Sequence, residues 1–405
     1  MKVLVLNCGS SSLKYQLIDM GTHKPLCSGL VERIGESVGK ISHKSFPDTA
    51  QEKSFSAEGA FKDHKQALGR ANDLITGREN GGVLKDVSEI GAIGHRVLHA
   101  GVVYREPVRI NQEVKDTIRR FFILGPLHNP AQLTGIEAAE VLYPGVAQVA
   151  VFDTAFHATI PDYAATYAIP YSYYEELGVR RYGFHGTSHW YVAKKTAQTL
   201  GKPFTQTNCI TVHLGNGCSM DAVKNGQCVD TSMGLTPLQG LMMGTRSGDI
   251  DPAIYAFLAT NKGMTVEQID TMLNKQSGFK GVCGMGDMRD VHAARAKGDK
   301  MAQLAFEMFC YRVKHYIGAY LAALSGCDAI TFTAGIGEND PETRQHCLEG
   351  LAPLGVKVDK DRNYGAKRGQ IAKISADDSP VAAYVIPTNE ELEIATQTVQ
   401  VVNGA

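Results

Sequence analysis

Three glycine-bearing segments carry residue types suited to gripping a phosphate. Asn7-Cys8-Gly9-Ser10-Ser11-Ser12 offers backbone N–H groups and hydroxyls in one short run, and Lys14 stands two residues beyond it, a cation placed for a phosphate oxygen. Taken alone, such a serine-rich run is more often an ordinary turn. His213-Leu214-Gly215-Asn216-Gly217 is a second glycine turn where an anion could approach the backbone closely, and a plain hairpin turn reads the same way. Gly335-Ile336-Gly337-Glu338-Asn339 leads into Asp340-Pro341-Glu342, whose proline suits the first helical turn. A nucleotide could sit at that helix N-terminus; an ordinary strand-to-helix connection is the alternative. Three such turns, each after an apolar run, point to phosphate far more strongly together than singly. Neither GxxxxGKS/T nor GxGxxG occurs, so a nucleotide here needs another cradle.

Further polar groups gather at predicted strand ends and turns: Gly94-His95-Arg96, Leu127-His128-Asn129-Pro130, Phe152-Asp153-Thr154, Gly183-Phe184-His185-Gly186 and Gly244-Thr245-Arg246-Ser247-Gly248-Asp249. An arginine flanked by small residues suits an oxyanion, because its planar fork binds carboxylate or phosphate at two points; a surface ion pair is the commoner use of any one arginine. His185 and His189 have the i, i+4 spacing of metal ligands, but the glutamate of HExxH is missing and no cysteine lies near, so zinc is disfavoured. His128 by itself reads as a structural histidine.

These residues need strands to present them. Residues 3–6 (Val-Leu-Val-Leu) read as a buried strand, 7–12 as a turn, 13–18 as a returning strand, and a third follows near 26–31. The pattern recurs at 209–214, the turn 215–217, and 218–223, with Asn225-Gly226 suiting a type I′ hairpin into 227–229. More strands are expected at 147–152, 329–333 and 383–386, a long helix at 302–324 that is apolar almost all round and therefore buried, and an exposed loop or hairpin at 40–58. Strands alternating with helices imply an α/β fold whose ligands collect at strand C-terminal ends. Two lobes with the same opening are expected: residues 1–152 plus 386–405, and 153–385.

Composition narrows the function classes. In 405 residues, 43% are hydrophobic and 20% charged, and the net charge of −1 gives no polyanion-binding signal, so neither nucleic acid nor a membrane is expected as a partner. No run of about 18 apolar residues occurs, and the start has no signal-peptide pattern. Nine cysteines without a CxxC pair suit reduced thiols, hence a cytoplasmic protein.

The stretches VLVLNCGSSSLKYQLI, GHRVLHAG, PLHNP, VFDTAFH, RRYGFHGTSH, HLGNG, DTSMGLTPLQG, GTRSGDIDP, FTAGIGEN and IPTNEE closely resemble, in order and spacing, those of the acetate kinase family, across residues 3–391. The resemblance implies an actin-, hexokinase- and Hsp70-like fold: two lobes of similar topology, each a mixed β-sheet flanked by helices, with ATP in the cleft between them, usually as a homodimer. It implies transfer of a phosphoryl group from ATP to acetate, giving acetyl phosphate and ADP, with Mg²⁺ as cofactor and Mn²⁺ as a substitute. Position by position, Asn7 and Glu390 resemble the metal ligands, and Asp153, His185 and Arg246 the catalytic residues. Arg96, Leu98, Leu127, His128, Phe184 and Pro237 resemble the substrate contacts. Nucleotide contacts would come from Ser10, Ser12 and Lys14, from His213, Leu214, Gly215, Asn216 and Gly217, from Asp287, Met288 and Arg289, and from Gly335, Ile336, Gly337, Glu338 and Asn339.

A carboxylate substrate is already ionised at neutral pH, so Asp153 is expected to orient the metal complex rather than remove a proton. HRVLHAG stands where HRVVHGG is expected, GPLHNP for APLHNP, and TPLQG for TPLEG, which bears on pocket size. Kinases for propionate or butyrate are the nearest alternatives. A sugar or glycerol kinase of the same fold is further off, as is a non-catalytic ATP-gated binding or filament protein. Thr388-Asn389-Glu390-Glu391 has capping-box spacing, which predicts that Glu391 caps a helix.

Overall fold

Val3, Leu4, Val5 and Leu6 are all buried, because their strand is covered on both faces. The computed structural model describes residues 1–77, 82–126 and 128–404, so Leu127 lies outside the described residues. In β1 (Lys2–Gly9), Leu4, Leu6 and Cys8 join a core with Ala67, Leu68 and Ala138, while Val3 and Val5 turn to Ile394 and Ala395 of the C-terminal helix Glu390–Asn403. Strand alternation divides the apolar run between two cores.

The chain forms two compact units, Met1–Ala155 with Asn389–Ala405, and Phe156–Thr388. In the first, β1 pairs antiparallel with β2 (Ser12–Asp19), which pairs with β3 (Lys24–Glu32), then β4 (Gly39–Ser45) and β5 (Lys53–Gly59). On its other side β1 is parallel to β6 (Ile90–Val97), which is parallel to β8 (Ala147–Phe152); the short β7 (Val108–Arg109) closes that edge antiparallel. In the second unit, β9 (Cys209–Leu214) pairs antiparallel with β10 (Cys218–Lys224), which pairs with β11 (Gln227–Thr231). β9 is parallel to β12 (Ala329–Thr333), and β12 to β14 (Ala382–Val385), with β13 (Ala372–Lys373) antiparallel at the edge. The orders β3-β2-β1-β6-β8-β7 and β11-β10-β9-β12-β14-β13 are one topology used twice, and the first unit adds the β4–β5 hairpin. Two mixed sheets flanked by helices therefore stand as expected.

Some local expectations stand and others need correction. The first turn is only Ser10-Ser11, because β1 continues to Gly9, so Asn7 lies within the strand, opposite Lys14. The segment 40–58 is the hairpin β4–β5. Asn225 and Gly226 both have positive φ, 51° and 76°, as a type I′ turn demands. The long helix runs Lys300–Leu324, but it is not buried all round: Met301, Leu304, Met308 and Tyr311 form an exposed apolar stripe. No helix among the described residues is long and apolar enough to cross a membrane.

Candidate active site

In the first unit Asn7 and Lys14 are cross-strand partners, and with Val5, Arg96, Glu390, Glu391 and Ile394 they line a small cavity of about 70 Å³. Arg96 lies at the C-terminal end of β6, one residue before its last, and its fork grips Asp153: Nη2 donates to Oδ2 at 2.6 Å and Nε to Oδ1 at 3.3 Å. Asp153 follows β8 and is fully buried, with its N–H on the Val97 carbonyl. Burial works against the Arg96 charge, but Asp153 and Glu390 more than offset it and hold the guanidinium pKa above its ordinary value. Lys14 pairs with Glu391.

Among the described residues of this unit, three carboxylates, Asp153, Glu390 and Glu391, therefore face the two cations Arg96 and Lys14. The cost falls on Glu390, whose carboxyl is pushed up to about 7 by burial, against the pull of Arg96 and with the push of Asp153 and Glu391. Surplus buried negative charge beside the oxygen donors of Asn7 and Glu390 fits a small, hard divalent cation such as Mg²⁺.

The helix Glu390–Asn403 is capped by Asn389, whose side chain accepts from Leu392 N at 3.0 Å, and not by Thr388. The Thr388 N–H is already engaged by Glu338 Oε1 at 3.1 Å and its hydroxyl by Ser188 at 2.8 Å, so the helix begins one residue later and Glu391 is free to meet Lys14. Leu98 is buried beyond β6. Its N–H donates to Gln132 Oε1 at 2.8 Å, and Asn129 Nδ2 donates to the His99 carbonyl at 2.9 Å. Both polar side chains come from one face of the helix Asn129–Leu142, three residues apart. Sequence reasoning passed over Gln132, and nothing short of that spacing marks it. His128 is the exposed residue that opens this helix.

In the second unit His185 precedes the helix Gly186–Leu200 at φ +59°, a left-handed conformation uncommon outside glycine and typical of sites under functional constraint. Its ring stacks on His213 with centroids 4.3 Å apart, and His213 Nδ1 lies 2.8 Å from Ser188 Oγ. A Cβ placed on Gly217 would touch both the His185 ring, 3.4 Å away, and Arg246 Nη1, 3.5 Å away, so these two groups converge beside that glycine. Arg246 donates to the Pro237 carbonyl at 3.1 Å and forms no carboxylate ion pair among the described residues; burial lowers its pKa. Phe184 is buried, and Pro237 is half-buried.

Four segments of this unit, turns and helix ends among them, line a cavity of about 520 Å³, a size that suits a nucleotide. Gly215 and Asn216 contribute from the β9–β10 turn, then Gly244, Gly286 to Arg289, and Gly335, Ile336 and Asn339. Gly244 must be glycine, since a Cβ there would lie 2.3 Å from Asn216 Oδ1 and 2.6 Å from the Gly286 carbonyl. Asp287 caps the helix Met288–Arg295 and is clasped by Arg289 at 2.9 and 2.6 Å, which lowers its pKa to about 2.

Residues 335–339 are not a turn but the short helix Ala334–Asn339. Asp340 caps the following helix Pro341–Leu348 itself, accepting from Thr343 N at 3.0 Å, so that N-terminus is filled by its own carboxylate. Leu214 is packed inside β9, and Glu338 ties Ala334 N to Thr388 N. Neither they nor Gly337, His213 or Gly217 line the cavity, while Ser10 and Ser12 stand at the β1–β2 hairpin of the other unit. Phe279, His292 and Arg368 line it without having been anticipated, and Asp340, expected at a helix start beside a nucleotide, lines it too. His292 shares a face of its helix with Met288, a spacing that could have revealed it; no local pattern marks Arg368.

The model of the acetokinase family matches residues 2–396. An acetate kinase from Nitratidesulfovibrio vulgaris strain DP4 is 59% identical over 404 residues, covering 100% of both chains. Among solved structures, Porphyromonas gingivalis acetate kinase has a TM-score of 0.94 at 41% identity, covering 99% of each chain. A propionate kinase from Francisella tularensis has a TM-score of 0.90 at 43% identity, covering 98% of this chain and 99% of that one.

Proposed function

The chain belongs to the acetokinase family, and on that premise we propose that it is an acetate kinase. It transfers the terminal phosphoryl group of ATP reversibly to acetate, giving acetyl phosphate and ADP by direct in-line displacement. The observation that carries this reading is the convergence of His185 and Arg246 beside Gly217, next in chain to the Gly215 and Asn216 that line the nucleotide-sized cavity. Two donors aimed at one point of a phosphate loop suit a transferring phosphoryl group, whose charge spreads over three oxygens.

Acetate is ionised at neutral pH and is itself the nucleophile, so no residue need act as a base. Asp153 then serves to hold Arg96, and Arg96 offers its remaining donors to the substrate carboxylate. Leu98, Leu127, Phe184 and Pro237 are the proposed apolar contacts of the methyl group. Asn7 and Glu390 would hold Mg²⁺, or Mn²⁺ in its place, which when bound neutralises phosphate charge that an anionic substrate must approach.

A homodimer is supported by the exposed stripe of Met301, Leu304, Met308 and Tyr311, and by the apolar helix Ala253–Lys262, which buries no residue of its own. Nine free cysteines support a reducing, cytoplasmic setting. Propionate kinase is the second reading, on the Francisella structure. Hydroxamate detection of acyl phosphate from ATP and a panel of carboxylates tests the proposal; acetate should give the highest kcat/KM, and a sugar or no acceptor at all would overturn it.

A further inference from the structure

Behind His185 runs a line of buried polar side chains that phosphoryl transfer does not itself require. Ser219 is fully buried on β10, and its Oγ lies 2.8 Å from His185 Nδ1 and 2.7 Å from His189 Nε2. His189, also fully buried, has its other nitrogen 2.6 Å from Thr211 Oγ1. Asp221, two residues along the same face of β10, sets Oδ1 3.6 Å from His189 Nε2, and its Oδ2 takes a hydrogen bond from His157 Nε2 at 2.8 Å.

The order of protons along this line follows from Asp221. Burial alone would raise its pKa, but His157 and His189 more than offset that and lower it, so it is a carboxylate and only accepts. A bare lone pair on His189 Nε2 would face that carboxylate and be repelled, so Nε2 carries a proton. This holds whether His189 is neutral or charged. The proton goes to Ser219 Oγ, which must then give its own hydrogen to His185 Nδ1. His185, accepting at Nδ1, keeps its proton on Nε2, beside Gly217.

We propose that Ser219, backed by His189 and Asp221, is a positioning residue that holds His185 in the Nε2–H tautomer and so makes it a hydrogen-bond donor to the transferring phosphoryl group. The inference rests on the kinase reading for what His185 contacts, but the tautomer itself does not. The opposite tautomer would present a lone pair to phosphate oxygens, which accept and cannot donate. Fixing the ring before substrate arrives removes that unproductive state.

Long-range ¹H–¹⁵N correlation spectra of the full chain labelled at histidine nitrogens test this, with His185 assigned from the spectrum of a His185→Gln variant. In the wild type Nδ1 should show the shift of an unprotonated nitrogen and Nε2 that of a protonated one; the reverse overturns the proposal. Ser219→Ala should mix the two tautomers and lower kcat roughly 10- to 100-fold, with KM for ATP and for acetate within about threefold. A folded Ser219→Ala protein with unchanged kcat overturns it as well. Should that variant not fold, the wild-type spectrum decides. Failure of the wild type to make acyl phosphate would refute the kinase reading instead, and the spectrum would still judge the hydrogen-bond chain.

Discussion

Replacing Glu390 by glutamine should make the metal-free protein more stable above neutral pH and poorer at holding a divalent cation. An ordinary glutamate titrates at 4.5, whereas burial beside Asp153 and Glu391 moves Glu390 to about 7. Between these values the native state keeps a proton that the unfolded chain has released, so stability is full below the unfolded value and is lost as pH rises through the folded one. The 2.5-unit difference at 1.36 kcal/mol per unit corresponds to about 3 kcal/mol at most by pH 8. Glutamine is nearly isosteric and has no charge to desolvate, so the variant escapes this loss. Melting curves without divalent cation should therefore agree near about pH 4 and separate by several degrees near about pH 8, the variant higher. Millimolar Mg²⁺ should raise the wild-type melting temperature near pH 8, since the ion displaces the proton and supplies the missing positive charge, and should hardly move the variant. Parallel melting curves across the pH range, or an equal Mg²⁺ response in both proteins, would refute the argument that Glu390 is the uncompensated carboxylate.

Arg246→Ala should lower kcat by roughly 10³- to 10⁵-fold with ATP binding largely retained, as followed by steady-state rates and calorimetry; near wild-type kcat would remove its assigned role. Gly244→Ala should raise the KM for ATP at least about tenfold, because the new Cβ collides with Asn216 and the Gly286 carbonyl, and an unchanged KM would mean the loops can part. Asn389→Ala should cost about 1 kcal/mol in denaturant melts as the true helix cap, whereas Glu391→Ala, which only frees Lys14, should cost less. Leu98→Ala should improve propionate relative to acetate by roughly 10- to 200-fold in kcat/KM, and wild-type preference for propionate would overturn the choice of substrate.

The amino-acid order alone made the strands legible wherever an apolar run is buried on both faces, and residues 147–152, 209–214 and 329–333 match β8, β9 and β12 residue for residue. It also exposed the doubled strand-turn-strand opening and placed His185, Asn216 and Arg246 at turns, because glycine and apolar patterns act over a few neighbouring residues. Boundaries slipped where a competing contact lay far off in the chain. Thr388 lost the helix cap to Asn389 because Glu338, 50 residues earlier, takes its N–H.

The chemistry of the site belongs to the tertiary structure. Arg96 and Asp153 are 57 residues apart, and only parallel pairing of β6 with β8 joins them. The stripe on the helix Lys300–Leu324 looked fully buried because composition does not say which face is covered. A pKa near 7 for Glu390, the proton order through Ser219, and the filling of a helix N-terminus by Asp340 depend on desolvation and on charges brought close through space. Those energies scale with distance and burial, and sequence separation carries neither.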